Sequence, residues 1–294
     1  MFQPQSQVSL KSKTTMHIGG TARYFAELMT KRDVAEAYTF AKTKNVPLFV
    51  LGAGSNTIFA DGEIQALIVQ IKHGHFFIEK NRVKIDAGAN LATVVATLAD
   101  AGLDLSALTG IPGTVGGAIF GNAGQGPAGV WIDSFIETVT EFVDGTWKTM
   151  PRSECGFGYR ESIFKREAGS GKREEIIWET TLNVPSGDPA KIKAAIEEML
   201  KKRAAAQVAA RTAGSCFKAS GDVPAWRLID AAGLRGLKIG GVQISPKHAN
   251  FLVNTENKGT FSDAVGIVER VKKTITVPLD VEMRFVGEDG EICF

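Results

Sequence analysis

Two glycine-rich runs and three isolated polar side chains set out what chemistry this chain can perform. The first run is Leu51-Gly52-Ala53-Gly54-Ser55-Asn56. Glycine lets backbone N–H groups approach a pyrophosphate with no Cβ in the way. The same run also reads as a plain tight turn. It is not the dinucleotide fingerprint G-x-G-x-x-G, because the third glycine is missing and no helical pattern follows at once. The second run is Gly110-Ile111-Pro112-Gly113-Thr114-Val115-Gly116-Gly117-Ala118, continued by Gly121-Asn122-Ala123-Gly124. Its glycines, with Thr114 and Asn122, can offer several donors to a dinucleotide. The alternative is close backbone packing without a ligand. Two such runs in one chain strengthen the ligand reading.

The polar candidates are Arg160, Ser215 and Glu282. Arg160, in Gly158-Tyr159-Arg160-Glu161-Ser162, can present a guanidinium to a carboxylate or oxyanion, or make an ordinary surface ion pair. Ser215, in Gly214-Ser215-Cys216-Phe217-Lys218, can act as nucleophile, proton donor or cap. No G-x-S-x-G elbow surrounds it, which argues against hydrolase chemistry. Cys216 reads as a small buried hydrophobe. Glu282, in Val281-Glu282-Met283-Arg284-Phe285-Val286, is costly to bury without a partner or a task. His73-Gly74-His75 raises metal binding or covalent flavin attachment; it reads instead as a pair of surface-loop histidines, and His248 as structural. No metal site is expected.

These residues need elements to hold them. Thr30-x-x-Asp33 resembles a capping box ahead of a helix with Val34, Ala37, Tyr38 and Ala41 on one face, ended by Asn45-Val46-Pro47. Leu48 to Leu51 reads as a strand entering the first glycine run. Ala66 to Ile71 and Phe76 to Ala87 are strand-like. Asn90 caps a helix with Leu91, Val94, Val95 and Leu98 inward. The stretch Thr109 to Gly129 holds eight glycines and two prolines but is too apolar for a flexible linker, so a packed functional segment is expected. Ile132 to Val143 and Ile176 to Val184 alternate like strands. Asp188-Pro189 starts a helix with Ile192, Ile196, Met199, Leu200 and Arg203 on its face. A domain boundary is expected near residue 208. Beyond it come a helix over Pro224 to Gly233, strands over Gly240 to Ile244 and Asn250 to Asn254, a helix over Ser262 to Ile275 with Val265, Val268 and Val271 inward, and a strand over Pro278 to Val286. The pattern is α+β in two or three domains.

Composition narrows the function classes. The chain has 294 residues, 44% hydrophobic and 22% charged, with a formal net charge of +2. That is enough apolar material for real cores, and it lacks the basic excess of a nucleic-acid binder. The basic runs Lys201-Lys202-Arg203 and Arg270 to Lys273 read as solvated helix faces or as a contact for a substrate phosphate. Cys155, Cys216 and Cys293 form neither a CxxC nor an even set, which fits a reducing cytosol. Met1 to Lys13 lacks an apolar stretch of the signal-peptide type, and no run reaches the ~20 apolar residues of a membrane helix. A cytoplasmic protein that binds neither nucleic acid nor membrane is expected.

Taken in order, the motifs resemble the UDP-N-acetylenolpyruvoylglucosamine reductases. The matching pieces are Thr14 to Gly20, Leu51 to Asn56, Gly110 to Ala118 with Asn122-Ala123-Gly124, Tyr159-Arg160-x-Ser162, Gly214-Ser215-x-Phe217-Lys218, Leu228 to Gly236, Lys247-His248-Ala249-x-Phe251-x-Val253-Asn254 and Glu282-x-Arg284. The ordered set is more specific than any one motif.

The resemblance implies an α+β chain with a two-subdomain FAD-binding fold of the vanillyl-alcohol-oxidase type and a smaller C-terminal substrate-binding domain. It places FAD binding in residues 1–208, with subdomains about 1–73 and 74–208, and substrate binding in 209–294. It implies non-covalent FAD, held through Leu51, Gly52, Ala53, Gly54, Ser55, Asn56, Gly110, Ile111, Pro112, Gly113, Thr114, Gly116, Gly117, Ala118 and Asn122, with NADPH as co-substrate. In the family's cycle NADPH reduces the flavin, hydride passes to C3 of the enolpyruvyl sugar nucleotide, and a serine protonates C2. Carried over, Ser215 is the proton donor, and Arg160 and Glu282 stabilise charge developing on the carboxylate. A monomer is expected.

Departures from the family pattern stand at Gln207 to Thr212, which lacks the usual prolines and serine, and at Ala219-Ser220, where an Asn-Pro is usual. The short linker after Arg160 fits the shorter subtype. Two other readings are another FAD oxidoreductase of this fold, such as a hydroxy-acid or lactone oxidase, and a non-enzymatic flavin-binding or sugar-nucleotide-sensing protein. The first has no reason to keep the Arg160, Ser215, Glu282 set, and loss of turnover in a Ser215→Ala variant separates the second.

Overall fold

The computed structural model describes residues 2–124, 129–165, 175–206 and 208–294. Residues 125–128 of the second glycine-rich stretch, 166–174 of the linker after Arg160, and Gln207 lie outside the described residues. In chain order the elements are β1 (Gln5–Ser9), β2 (Thr21–Leu28), α1 (Lys31–Lys44), β3 (Leu48–Val50), β4 (Thr57–Phe59), β5 (Glu63–Ile71), β6 (Phe76–Glu79) and β7 (Arg82–Asp86). Then come α2 (Leu91–Asp100), α3 (Val115–Phe120), β8 (Ile136–Val143), β9 (Thr146–Pro151), β10 (Glu175–Asn183) and α4 (Pro189–Ala206). The chain closes with α5 (Ala225–Ala231), β11 (Lys238–Ile239), β12 (Val242–Ile244), β13 (Leu252–Asn254), α6 (Phe261–Thr274) and β14 (Arg284–Val286).

The chain forms two compact units. The first comprises Met1–Pro4, Ala26–Gly52 and Ile68–Arg203; the second comprises Gln5–Phe25, Ala53–Leu67 and Ala204–Phe294. This division is not a single cut near residue 208, because two N-terminal segments group with the C-terminal one.

The first unit is built on the antiparallel sheet β6-β7-β10-β8-β9. In β7 the residues alternate, with Val83 and Ile85 buried and Arg82 and Lys84 exposed. That period of two gives the sheet one apolar face. Against it pack Leu91, Val94, Val95 and Leu98 of α2 and Val115, Ala118 and Ile119 of α3. Burying each large aliphatic side chain contributes roughly 1.5–3 kcal/mol, so this layer holds the second glycine run in place. Asn90 caps α2 by accepting from the Thr93 N–H, and Thr30 and Asp33 form the expected capping box on α1.

The second unit carries the antiparallel sheet β11-β12-β13 and the parallel pair β4 and β14, in which Ile58 stands opposite Phe285. Ala264, Ile267, Val268 and Val271 of α6 pack with Val242, Ile244 and Phe285. Thr260 and Asp263 cap α6 with a capping box.

Several expectations shift. Phe76 to Ala87 is a hairpin rather than one strand; it turns at Lys80, which takes φ 57° without the usual Asn-Gly signal. Ile132–Ser134 is a 3-10 turn, and the strand starts at Ile136. On α4, Ile192 is buried but Leu200 is 48% exposed, because the inward stripe runs 192, 196, 199, 203 and misses it. Gly240 and Gly241 connect β11 and β12 instead of opening one strand. Val265 is only partly buried. The last strand is confined to β14, so Glu282 sits on an irregular approach to it.

Candidate active site

In the first unit the glycine runs meet. A Cβ on Gly52 would stand 3.0 Å from Thr114 Oγ1 and 4.0 Å from the Gly117 Cα. The Gly52 carbonyl accepts from Gln70 Nε2 at 2.8 Å, a buried side chain that fixes the entry to the loop. The second run lies beside the chain leaving β7: the Gly116 N–H donates to the Ala87 carbonyl (2.8 Å), Val115 to Ala89 (2.9 Å) and Leu91 to Gly113 (3.1 Å). A Cβ on Gly116 would lie 2.8 Å from the Ala87 Cβ, so only glycine allows this approach. Thr114 Oγ1 accepts from the Gly117 N–H at 3.2 Å and caps α3. Gly110, Ile111, Gly113, Thr114, Gly116 and Gly117 stay at least partly accessible, Pro112 is exposed, and Ala118 is buried.

Asn122 is fully buried, and both ends of its amide turn into the protein. Nδ2 donates to the Gly158 carbonyl at 2.9 Å, and Oδ1 accepts from the Asp133 N–H at 3.3 Å. Asn122 thus anchors the tight hairpin Gly158–Glu161, whose ends exchange hydrogen bonds of 3.0 and 3.1 Å. Arg160 sits on that hairpin with φ 57°. Its Nη2 donates to the Gly124 carbonyl at 3.0 Å and its Nη1 to the Asn122 carbonyl at 3.4 Å. Arg203, from the end of α4, donates to the Gly110 carbonyl at 2.8 Å. Burial, and then the positive charge of Arg160, hold the Arg203 guanidinium below the ordinary arginine pKa. Two guanidinium groups therefore flank the glycine segments and favour an anion there.

In the second unit Ser215 lies on a strip held from both sides. It bridges to Phe251 in antiparallel fashion, and the Cys216 N–H donates to the Asn250 carbonyl at 2.8 Å. Asn250, itself buried, accepts from the Phe217 N–H through Oδ1 (3.0 Å) and donates to the Phe217 carbonyl through Nδ2 (2.8 Å). On the other side the Glu282 N–H donates to the Cys216 carbonyl at 2.8 Å. Ser215 is partly accessible while Cys216 is fully buried. Burial, and then the Glu282 charge, push the Cys216 thiol pKa up, so it stays an inert thiol.

The tail of the first glycine run joins this strip. Asn56 Nδ2 donates to the Glu282 carbonyl at 3.1 Å, and the Arg284 N–H donates to the Asn56 carbonyl at 2.9 Å. Gly54 has φ 69°, and a Cβ there would stand 2.1 Å from the Lys13 carbonyl oxygen. The same turn is tied by the Thr15 hydroxyl, which donates to the Thr212 carbonyl at 2.7 Å, and by the Thr15 N–H, which donates to the Gly54 carbonyl at 3.0 Å.

Comparison with known proteins gives this arrangement its setting. Residues 206–286 match the C-terminal domain of UDP-N-acetylenolpyruvoylglucosamine reductase, and residues 22–144 match an FAD binding domain. UDP-N-acetylenolpyruvoylglucosamine reductase of Clostridium beijerinckii is 33% identical over 97% of this chain and 95% of its own length. The enzyme of the same name from Chlamydia trachomatis serovar D is 34% identical over 97% of each. The chain belongs to the UDP-N-acetylenolpyruvoylglucosamine reductase family. The crystal structure of the reductase (MurB) from Thermus caldophilus superimposes with a TM-score of 0.83 at 30% identity, covering 97% of this chain and 99% of that one. The α+β fold with an FAD-binding part and a C-terminal reductase domain is thus that of the family.

Within a chain of this family, the structure brings Ser215, Glu282 and the tail of the first glycine run together in the second unit. In the first unit it brings Arg160, Asn122 and the second glycine run together. The sequence placed Arg203 on the apolar face of its helix and, as part of a basic run, on a solvated face or a phosphate contact. Its spacing from Ile192, Ile196 and Met199 is the signal that it points inward. His248, expected as structural, is half-buried, accepts from the Asn250 N–H through Nδ1 at 3.2 Å and meets the Phe251 ring at 4.5 Å.

Burial lowers the His248 pKa from 6.5. Above that value neither folded nor unfolded chain carries the proton; below it the unfolded chain is protonated first. Stability is therefore fully present above pH 6.5 and is lost as pH falls toward the depressed folded pKa. Denaturant unfolding at pH 7.5 and 5.5 is expected to show a larger loss in the wild type than in His248→Gln. Equal losses in the two proteins would assign the pH dependence to other groups.

Proposed function

We propose that this chain reduces UDP-N-acetylglucosamine enolpyruvate to UDP-N-acetylmuramate with NADPH as reductant and FAD as cofactor, a step of peptidoglycan precursor synthesis. It is a flavin-dependent oxidoreductase acting on small molecules. The observation that carries the assignment of roles is the hydrogen bond from the Glu282 N–H to the Cys216 carbonyl (2.8 Å), which sets Ser215 and Glu282 on adjoining segments of one strip.

The residues fit FAD. Gly52 and Gly117 leave open backbone where side chains would intrude, and Thr114 stands between them. Leu51 to Gly52 and Gly110 to Ala118 would line the cofactor in the first unit, with Ala53 to Asn56 continuing the first run; the N–H groups of Val115, Gly116 and Gly117 are taken within the protein and shape the run. Asn122 supports the site from beneath. When bound, FAD supplies the hydride relay between the nicotinamide and C3 of the enolpyruvyl group. Arg160 places fixed positive charge toward the substrate carboxylate, where charge grows only as the reaction proceeds, and such donors typically lower a barrier by several kcal/mol. Glu282 acts as a protonated donor, since a bare carboxylate would repel that charge. Ser215 holds the proton delivered to C2.

We place FAD binding in 1–208 and substrate binding in 209–294, which the bounds of the two matching domains support. Among the described residues no helix is long and apolar enough to cross a membrane. We further assign the enzyme to the cytoplasm, on the strength of three free cysteines, and as a monomer, testable by light scattering. A visible spectrum of the purified protein tests the main assignment. Anaerobic NADPH is expected to bleach a bound flavin, and the enolpyruvyl sugar nucleotide alone to restore it. A protein that neither carries nor takes up FAD overturns the assignment; bleaching by a hydroxy acid instead of NADPH would transfer it to the oxidases.

A further inference from the structure

His73 and His75 lie between β5 and β6, and Asp86 ends β7. The Asp86 N–H donates to the His75 carbonyl at 3.0 Å, and Asp86 Oδ2 accepts from the His75 N–H at 2.8 Å. This clasp brings the two rings and the carboxylate together. His73 Nε2 is 3.4 Å from His75 Nδ1. Asp86 Oδ2 is 2.7 Å from His73 Nδ1 and 3.9 Å from His75 Nδ1. His73 Nδ1 is buried, and the Asp86 carboxylate beside it is its ionic partner. The His73 ring stacks on Trp178 at 5.4 Å and 14° between planes, which fixes its orientation. Asp86 is buried, while the His75 side chain is 85% exposed and keeps the group open to solvent.

The two rings share a hydrogen bond at a spacing that is also that of a metal-ligand pair. Tetrahedral zinc with Zn–N bonds of about 2.0–2.1 Å holds two ligand nitrogens about 3.3–3.4 Å apart. A ligating imidazole ordinarily has its other ring nitrogen held by a carboxylate or carbonyl, and Asp86 stands at that nitrogen of His73. The neighbouring lysines face other acids: Lys72 pairs with Glu27 at 3.4 Å and Lys84 with Glu179 at 3.1 Å. Among the described residues, these three form a group whose ligand atoms all lie within 4.8 Å of one another.

We propose that His73 Nε2 and His75 Nδ1 bind one divalent transition-metal ion of the zinc class, with Asp86 as the positioning residue for His73. Imidazole ligands favour zinc, copper and nickel over magnesium or calcium. Two protein ligands leave the remaining positions to water, so binding is weaker than at a closed four-ligand site. The ion pins the β5–β6 connection through two of its own residues and stabilises the folded chain by mass action.

The test uses the FAD-loaded protein, stripped with chelator and titrated with zinc sulfate against a chromophoric chelator, with melting followed in parallel. One zinc per chain is expected, with a melting temperature that rises with zinc and does not respond to magnesium. Asp86→Asn is expected to weaken zinc binding by roughly 10- to 100-fold. His75→Ala, on an exposed side chain, is expected to abolish both the binding and the rise. No saturable zinc binding by the wild type, or binding unchanged in His75→Ala, overturns the proposal. Neither readout depends on reductase turnover, so failure here leaves the assigned reaction standing.

Discussion

In Ser215→Ala, NADPH is expected to bleach the flavin as in the wild type while overall turnover falls by roughly 10²- to 10⁴-fold, the range that a positioned general acid contributes. The two half-reactions ask for different groups. Taking hydride from NADPH requires the nicotinamide to be oriented; finishing the second half-reaction requires a proton at C2. Ser215 is partly accessible and its backbone is held by the bridge to Phe251, with Cys216 bonded to Asn250 and Glu282 on either side. Removing Oγ leaves those backbone bonds intact, so the fold is expected to keep its stability within about 0.5 kcal/mol. A serine hydroxyl is a weak acid in water, and its contribution rests on placement. Stopped-flow measurement of each half-reaction separates the outcomes. Reoxidation by substrate at the wild-type rate removes Ser215 from the mechanism. Loss of both half-reactions together would mean that the residue shapes the site instead of donating a proton.

Much of the scaffold was legible because local signals and packing agree. Thr30-x-x-Asp33 and Asn90 cap the helices they were expected to cap, and the inward residues of α2 are the apolar ones at helical spacing. The sequence misled where apolar alternation ran past a break. Phe76 to Ala87 reads as one strand-like stretch, yet the chain reverses at Lys80, inside the polar run Glu79 to Arg82, with a positive φ unusual for lysine. Pro278 to Val286 alternates, but its first part bonds irregularly to Cys216, and only Arg284–Val286 pairs as a strand. Such breaks are set by tertiary partners that a local window does not contain.

The site was legible as a set of residue types and less so as an arrangement. Glycine at 52, 110, 116 and 117 announces backbone that something must approach, and Gly116 turns out to be approached by Ala87 as well. Asn122 looked like a donor to a cofactor because it lies between glycines; its burial and its bonds to Gly158 and Asp133 make it a support for the Arg160 hairpin. Arg203 was legible as a member of the apolar face of its helix, but not as a donor to the Gly110 carbonyl, a partner far away in the sequence. His73 and His75 raised metal binding in the sequence but read as surface-loop histidines, since Asp86 joins them only through the β6–β7 hairpin.

Asn250→Ala tests how Ser215 is held, and its effect on stability is expected to be the larger of the two substitutions. The Asn250 side chain accepts from the Phe217 N–H at 3.0 Å and donates to the Phe217 carbonyl at 2.8 Å, with Asn250 6% exposed and Phe217 2% exposed. Alanine leaves both backbone groups of Phe217 buried without those partners, at a cost of roughly 2–4 kcal/mol if each contributes 1–3 kcal/mol and the losses partly overlap. The backbone bonds from the Cys216 N–H to the Asn250 carbonyl and from the Glu282 N–H to the Cys216 carbonyl survive, so the strip stays attached while its register at Ser215 loosens. Turnover per folded molecule is then expected to fall more than the affinity for NADPH, because the proton donor moves while the nicotinamide half-reaction does not use it. Urea unfolding and single-turnover reoxidation measured on the same preparation decide the matter. A destabilised protein that reoxidises at the wild-type rate would make Asn250 a purely structural residue. A stable protein would show that the two side-chain bonds to Phe217 are replaced by water, and that this strip is more accessible than its burial indicates.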